Sequence, residues 1–336
     1  MLNINVKLLF LVGILISNIA AAKTELTIYT YDSFASEWGP GPKIKEAFEK
    51  ECDCTVNFVG LDSSIGILGR LQIEAASSTA DIALGLDTNL METAAKTGLF
   101  DDHNINLDGK LALPATRLSP WNDKNFVPFD WGYFAFVYDQ DKLATPPASM
   151  AALLDAPNDL RIVIQDPRTA TPGLGLLLWM NAIYPDNTAN AWKKLAPKIT
   201  TVTKGWWDAY SMFLEGEADM VLSYSTSPAY HAIAEGKTNF KAARFAEGHY
   251  TQIEVAGILK AAPNKTLARR FLTFLISDEA QSILPTTNWM YPAGNVAVPD
   301  AFATLIKPGT AFLFSPKTVA DKRADWTNLW RDGLSQ

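Results

Sequence analysis

Tyrosines and tryptophans recur in this chain where predicted strands run out into loops rich in glycine, proline and serine. Tyr31 and Trp38 follow the first strand, and Trp38 opens the run Trp38-Gly39-Pro40-Gly41-Pro42. Trp206 and Trp207 stand side by side, Tyr224 and Tyr230 bracket Ser225, Thr226 and Ser227, and Trp289 lies in Asn288-Trp289-Met290-Tyr291-Pro292. Loops run over surfaces, so a ring there either folds back into the core or faces a ligand. Several such rings at the strand ends of an α/β sheet point to a cleft that stacks a flat cation. For Trp131, Tyr133, Phe134 and Phe136, inside a strand, the core is the better reading. Of Trp206 and Trp207, one is expected to face the core and the other the cleft.

Two helix starts share a second signature. Thr171-Pro172-Gly173 and Ser227-Pro228 each set a hydroxyl before a proline at the head of a helix. The free N–H groups and dipole of such a terminus favour anions, although an ordinary cap has the same sequence. Asp62, beside Ser63 and Ser64, either neutralises a cationic ligand or simply favours the helix that follows. Asp166 and Arg168 are expected to pair across the loop 165–173. No nucleophile–base signature or glycine-rich nucleotide loop is present, and the three histidines are not spaced for zinc, so binding outranks chemistry.

Alternating elements must carry these residues. A strand over 26–30, a helix over 42–51, a strand over 56–59, a helix from Ser63 or Ser64 to about Ala76, a strand over 81–86 and a helix over 88–97 make a parallel sheet with helices on both faces. A long aromatic stretch, Phe126 to Tyr138, is interrupted by Pro128 and Gly132 and reads as a crossover between lobes. A second α/β unit spans 160–235, and a strand from Tyr250 to Leu259 returns the chain. Helices over 264–276, 278–284 and 316–332 follow. The predicted domains are 23–128 with 251–300, and 129–250 with 301–336.

The first 22 residues read as a cleavable secretory signal. Lys7 precedes an apolar run of ~12 residues, short of the ~20 a bilayer requires, and Ala20-Ala21-Ala22 is a cleavage site. The formal charge is −7, with no basic run, which argues against nucleic acid and anionic membranes as partners. In an oxidising compartment Cys52 and Cys54 are expected to form a small-ring disulfide; two independently buried thiols are the alternative.

The chain closely resembles the periplasmic thiamine-binding proteins of bacterial ABC importers over essentially its mature length. The matching segments are Tyr-Thr-Tyr-Asp-Ser-Phe (29–34), Trp-Gly-Pro-Gly-Pro (38–42), Val-Pro-Phe-Asp-Trp-Gly-Tyr-Phe-Ala-Phe-Val-Tyr-Asp (127–139), Gln-Asp-Pro-Arg-Thr (165–169) and Thr-Pro-Gly-Leu-Gly-Leu-Leu-Leu-Trp-Met (171–180). Thr-Val-Thr-Lys-Gly-Trp (201–206), Ser-Pro-Ala-Tyr-His (227–231), Glu-Gly-His-Tyr (247–250) and Asn-Trp-Met-Tyr-Pro (288–292) complete the set. The resemblance implies a two-lobe α/β periplasmic binding-protein fold (type II) with two crossover strands as a hinge. It implies a periplasmic monomer that takes thiamine, thiamine monophosphate or thiamine diphosphate as its ligand, uses no cofactor, and delivers to a membrane permease and its ATPase. It places Tyr31, Trp38, Trp206, Tyr230 and Trp289 around the ligand rings, and Ser63, Ser64, Ala170, Thr171, Tyr224, Ser225, Thr226 and Ser227 on its polar and phosphate groups. Ser63 stands where the family pattern has Asp, and Ala170 where it has Ser, so Asp62 is the neighbouring carboxylate to consider. Other occupants of such a fold are ferric ion, against which the six-residue spacing of Tyr224 and Tyr230 argues, and polyamines. Thiaminases share the fold and use a cysteine, which a Cys52–Cys54 disulfide would withhold.

Overall fold

The computed structural model describes residues 23–114 and 118–335; the predicted signal segment lies outside them. The strands in chain order are β1 (Thr24–Tyr31), β2 (Cys54–Leu61), β3 (Ile82–Asp87), β4 (Phe126–Asp139), β5 (Ile162–Gln165), β6 (Ile199–Thr203), β7 (Met220–Tyr224), β8 (Phe240–Ala242), β9 (His249–Ile258), β10 (Tyr291–Pro292) and β11 (Ala311–Phe312). The helices are α1 (Asp32–Ala35), α2 (Gly41–Glu51), α3 (Ser64–Glu74), α4 (Met91–Lys96), α5 (Met150–Asp155), α6 (Thr171–Ile183), α7 (Thr188–Leu195), α8 (Trp206–Leu214), α9 (Ser227–Ala234), α10 (Lys265–Leu275), α11 (Asp278–Ile283) and α12 (Pro316–Leu334).

Local chemistry accounts for the longer elements. Proline at the first turn of α2 costs no helical hydrogen bond, and Ile44, Ala47 and Phe48 form its buried stripe. Asn264 caps α10 by accepting from the Leu267 N–H, and Leu267, Phe271 and Leu275 face the core. From Thr171 to Asn181 every residue of α6 is buried, so this helix is enclosed on all sides. At the junction of α2 and β2 the chain is closed by the Cys52–Cys54 disulfide, as expected.

The sheet runs β2-β1-β3-β9-β4-β7-β5-β6. Its two flanks are parallel, β1 between β2 and β3, and β5 between β6 and β7. Its centre is antiparallel: β9 opposes both β3 and β4, and β4 opposes β7. The parallel expectation for the first unit therefore holds, and β4 and β9, the expected crossover strands, run between the flanks in opposite directions. Pro128 and Gly132 do not break β4. Pro128 sits at a register shift, and the strand changes partner further on, pairing with β9 through Tyr133 and with β7 from Phe134. The helix α12 packs on α4, α6 and α7 and so spans elements of both flanks.

Candidate functional site

Between the flanks lies a cleft of about 550 Å³. The expected residues Tyr31, Trp38, Asp62, Ser63, Ser64, Ala170, Thr171, Trp206, Tyr224, Ser227, Tyr230 and Trp289 line it. Ser225 and Thr226 do not: both are fully buried, and Thr226 turns its hydroxyl to Met290 Sδ. Successive residues of the β7–α9 turn point to different sides, and Ser225 faces a separate groove beside Pro228.

Aromatic rings form the walls. Trp38 and Trp207, each more than half exposed, meet across the mouth with centroids 5.9 Å apart. Behind them Trp206 stacks on Tyr210 at 5.1 Å and donates from Nε1 to Ser223 Oγ at 2.8 Å. Tyr210 is backed in turn by His231, 2.9 Å from its hydroxyl. Trp206 therefore packs against the core beneath α8 while one side of it lines the cleft, and Trp207 stands exposed at the mouth, so the pair divides much as expected. Tyr230 and Trp289 meet edge to face at 5.2 Å. Trp289 holds a left-handed backbone, φ +57°, which is uncommon for a residue with a side chain.

Three helix starts open on the same space. Ser63 caps α3, accepting from the Gly66 N–H at 3.2 Å. The expected hydroxyl caps of α6 and α9 do not form: Ala170 and Thr226 occupy the cap positions without a side-chain bond, and Thr171 and Ser227 are the first helical residues. Their hydroxyls work sideways instead. Thr171 Oγ1 donates to Ser64 Oγ at 2.9 Å across the cleft, and Ser227 Oγ shares a hydrogen with Ser223 Oγ at 2.8 Å. Ser63 Oγ also donates across the cleft to the Thr169 carbonyl. Asp62 is exposed at the rim, ion-paired with Lys204 from the opposite flank. Asp166 and Arg168 pair as expected, at 2.5 Å.

The floor carries a carboxylate that sequence reasoning passed over. Glu254 of β9 is nearly buried yet lines the cleft. Its Oε2 accepts from the Tyr31 hydroxyl at 2.7 Å and its Oε1 from Gln252 Nε2 at 3.0 Å. Asn288 Nδ2 donates to the Tyr31 hydroxyl at 2.9 Å and to Asp130 Oδ2. Burial, reinforced by the negative charge of Asp130, pushes Glu254 well above the ordinary carboxylate range. Burial likewise raises the Tyr31 and Tyr224 hydroxyls, helped by the Glu254 charge. Among the described residues, no lysine or arginine forms an ion pair with Glu254 or Asp130. The missed signal was Thr251-Gln252-Ile253-Glu254: polar residues inside a strand whose every position is buried.

Such a site can stack a flat ring, offset a positive charge from below, and offer hydroxyls and helix termini to polar groups. Comparison with known proteins places the chain in a family. The family described as "Bacterial extracellular solute-binding protein" matches residues 40–282. The thiamine-binding periplasmic protein of Escherichia coli is 50% identical over 315 residues, covering 94% of this chain and 95% of its own. That of Brucella melitensis is 48% identical over 324 residues, covering 94% of each. A solved structure titled "Periplasmic thiamin binding protein" superposes with a TM-score of 0.90 at 50% identity, covering 94% of this chain and 97% of its own.

Proposed function

Because this chain belongs to the bacterial extracellular solute-binding proteins, and among them to the thiamine-binding periplasmic proteins, we propose that the aromatic cleft is where it captures thiamine for a membrane importer. One observation carries the reading: a buried carboxylate, Glu254, with no cationic partner among the described residues lies beneath walls of tryptophan and tyrosine. Leaving a charge buried and unpaired is costly, so the site is complete only when a cation fills it. The thiazolium ring supplies that charge, and each aromatic face adds on the order of 0.5–2 kcal/mol.

In this assignment Trp38, Trp206, Trp207, Tyr230 and Trp289 cover the two rings, with Tyr31 and Glu254 beneath them. Ser63, Ser64, Thr171 and Ser227, at three helix starts, take the hydroxyethyl arm and, in the phosphorylated forms, the phosphate. Lobe closure is latched by the Trp38–Trp207 contact, the Asp62–Lys204 pair and the cross-cleft bonds of Ser63 and Ser64. The closed form then docks on a permease that works with its ATPase. The chain acts as a monomeric binder without a cofactor and not as an enzyme, since both cysteines are tied to each other.

Calorimetric titration of refolded, ligand-free protein with thiamine, its two phosphates and spermidine tests this. Submicromolar thiamine binding with no response to spermidine is expected. Binding of spermidine alone would overturn it in favour of a polyamine. Modification of the native protein by a thiol reagent would reopen the enzyme reading.

A further inference from the structure

Asp130 and Glu254 stand directly opposite each other where β4 pairs with β9. Like charges so placed repel, and both residues lie out of water. Asp130 Oδ2 accepts from Asn288, but Asp130 Oδ1 is buried with no hydrogen-bond partner among the described residues. An acceptor orphaned beside a second carboxylate is satisfied by a proton lying between the two.

Among the described residues, the pair is surrounded by neutral donors and not by an ion-paired cation. From β1 comes the Tyr31 hydroxyl and from β7 that of Tyr224; from β9 comes the amide of Gln252, and Asn288 contributes its own amide. Asp87 of β3, opposite Glu254 on its other side, adds a further buried carboxyl, raised by burial to about 6. Arg323 of α12 is the cation that acts on Asp87, and it does not ion-pair with Glu254 or Asp130. Burial also raises Asp130 to about 7, and with Glu254 raised well above the ordinary carboxylate range the two bind protons as a unit.

We propose that Asp130 and Glu254 hold one shared proton in the empty cleft and that a permanently cationic ligand expels it, making this pair the element that selects for charge. The inference rests on the cleft taking an aromatic cation. The balance is simple: the proton passes to the buffer, the pair goes from one negative charge to two, and the quaternary nitrogen restores the site's total. A neutral isostere displaces no proton and must bind over a protonated pair. Glu254 is the group that meets the ligand, and Asp130 is a positioning residue that acts through it.

The test is calorimetric titration of the full mature chain with thiamine, in phosphate and in Tris buffer, between pH 6 and 8. The dependence of the heat on buffer ionisation counts protons. Release of roughly 0.5–1 proton per thiamine is expected near pH 6.5, with affinity rising up to about tenfold per pH unit until the pair is ionised. Neutral deazathiamine should bind more weakly, with no proton release and no pH dependence. Asp130→Asn should still bind thiamine while its proton count falls towards zero, which a merely structural role would not produce. Infrared spectra of the wild-type protein give a readout that needs no variant: a protonated-carboxyl band in the empty form that thiamine removes. Thiamine binding without proton release, or a band that thiamine leaves unchanged, overturns the shared proton while sparing the cleft. No thiamine binding at all defeats the cleft reading, and this inference with it.

Discussion

Gly85 seats the ring that touches the floor carboxylate, and its substitution measures how closely that seat is fitted. The residue is the extra one at the register shift between Leu84 and Leu86, with φ +94°. A Cβ built there would lie 2.4 Å from both Cδ1 and Cε1 of Tyr31. Ordinary contact requires the ring to withdraw by about 1 Å. Phe34 packs against Tyr31 edge-on at 5.7 Å, so the ring has little room to retreat. A 1 Å shift takes the 2.7 Å bond from Tyr31 to Glu254 out of hydrogen-bonding range. For Gly85→Ala, backbone strain of about 1–2 kcal/mol and overpacking of about 1–3 kcal/mol combine to a loss of roughly 2–5 kcal/mol. In a chain of this size about 3 kcal/mol lowers the melting midpoint by about 5 °C. The lost charged hydrogen bond should raise the thiamine Kd about tenfold. Scanning calorimetry and thiamine titration read both effects. Gly69→Ala in α3, where an added Cβ meets nothing within 4 Å, is the control and should stabilise by up to about 1 kcal/mol. A Gly85→Ala protein with wild-type melting and affinity would refute the fit.

Other perturbations separate the remaining roles. Trp206→Ala should weaken thiamine and its phosphates by a similar factor of about ten, whereas Ser227→Ala should weaken mainly the phosphorylated forms; equal effects in parallel titrations would undo that division. Asp62→Asn should change affinity less than about threefold, because its exposed pair with Lys204 is screened, while Glu254→Gln should cost about thirtyfold or more in the same assay. His249 is held neutral by its surroundings: Nδ1 donates to the Phe134 carbonyl at 2.8 Å and Nε2 accepts from the Phe245 N–H at 3.0 Å. Burial lowers it to about 4. Its unfolded value is about 6.5, so its contribution is complete above pH 6.5 and is lost as pH falls towards 4, by about 3 kcal/mol. Urea unfolding at pH 7 and 4.5 should show His249→Gln to be less acid-sensitive than wild type, and an unchanged difference would count against it.

Much of the fold was legible because local signals agreed. Pro42 and Pro172 mark helix starts, Gly98 stands just past the end of α4 with φ +69°, and the buried stripe of α10 repeats at helical spacing. The β8, β10 and β11 strands left no signal, since two or three residues carry no period and are defined only by the neighbouring edge. The aromatic walls were readable because tryptophan in a Gly/Pro loop has little core to enter. Glu254 was not, because its role depends on Asp130, 124 residues away in the sequence and opposite it only once β4 and β9 pair. The inward turn of Ser225 and Thr226 was equally hidden: one turn sequence fits either face, and only packing against Met290 decides it.

The central position of β9 also sets the order in which the chain can be finished. β3 has β1 on one side and β9 on the other, and β4 depends on the same β9 from Phe126 to Tyr133. While synthesis is short of residues 249–258, the first flank therefore ends in an open edge and the Phe126–Tyr133 half of β4 lacks its partner, although the later half already has β7. Contacts so distant in sequence form late, and exposed edges do not hold a structure by themselves. A protein that works on the far side of a membrane must stay unfolded until it has crossed. Here β9, which closes the edge of the first flank and joins it to β4, comes late in the chain, so the first flank stays open-edged until that strand is available.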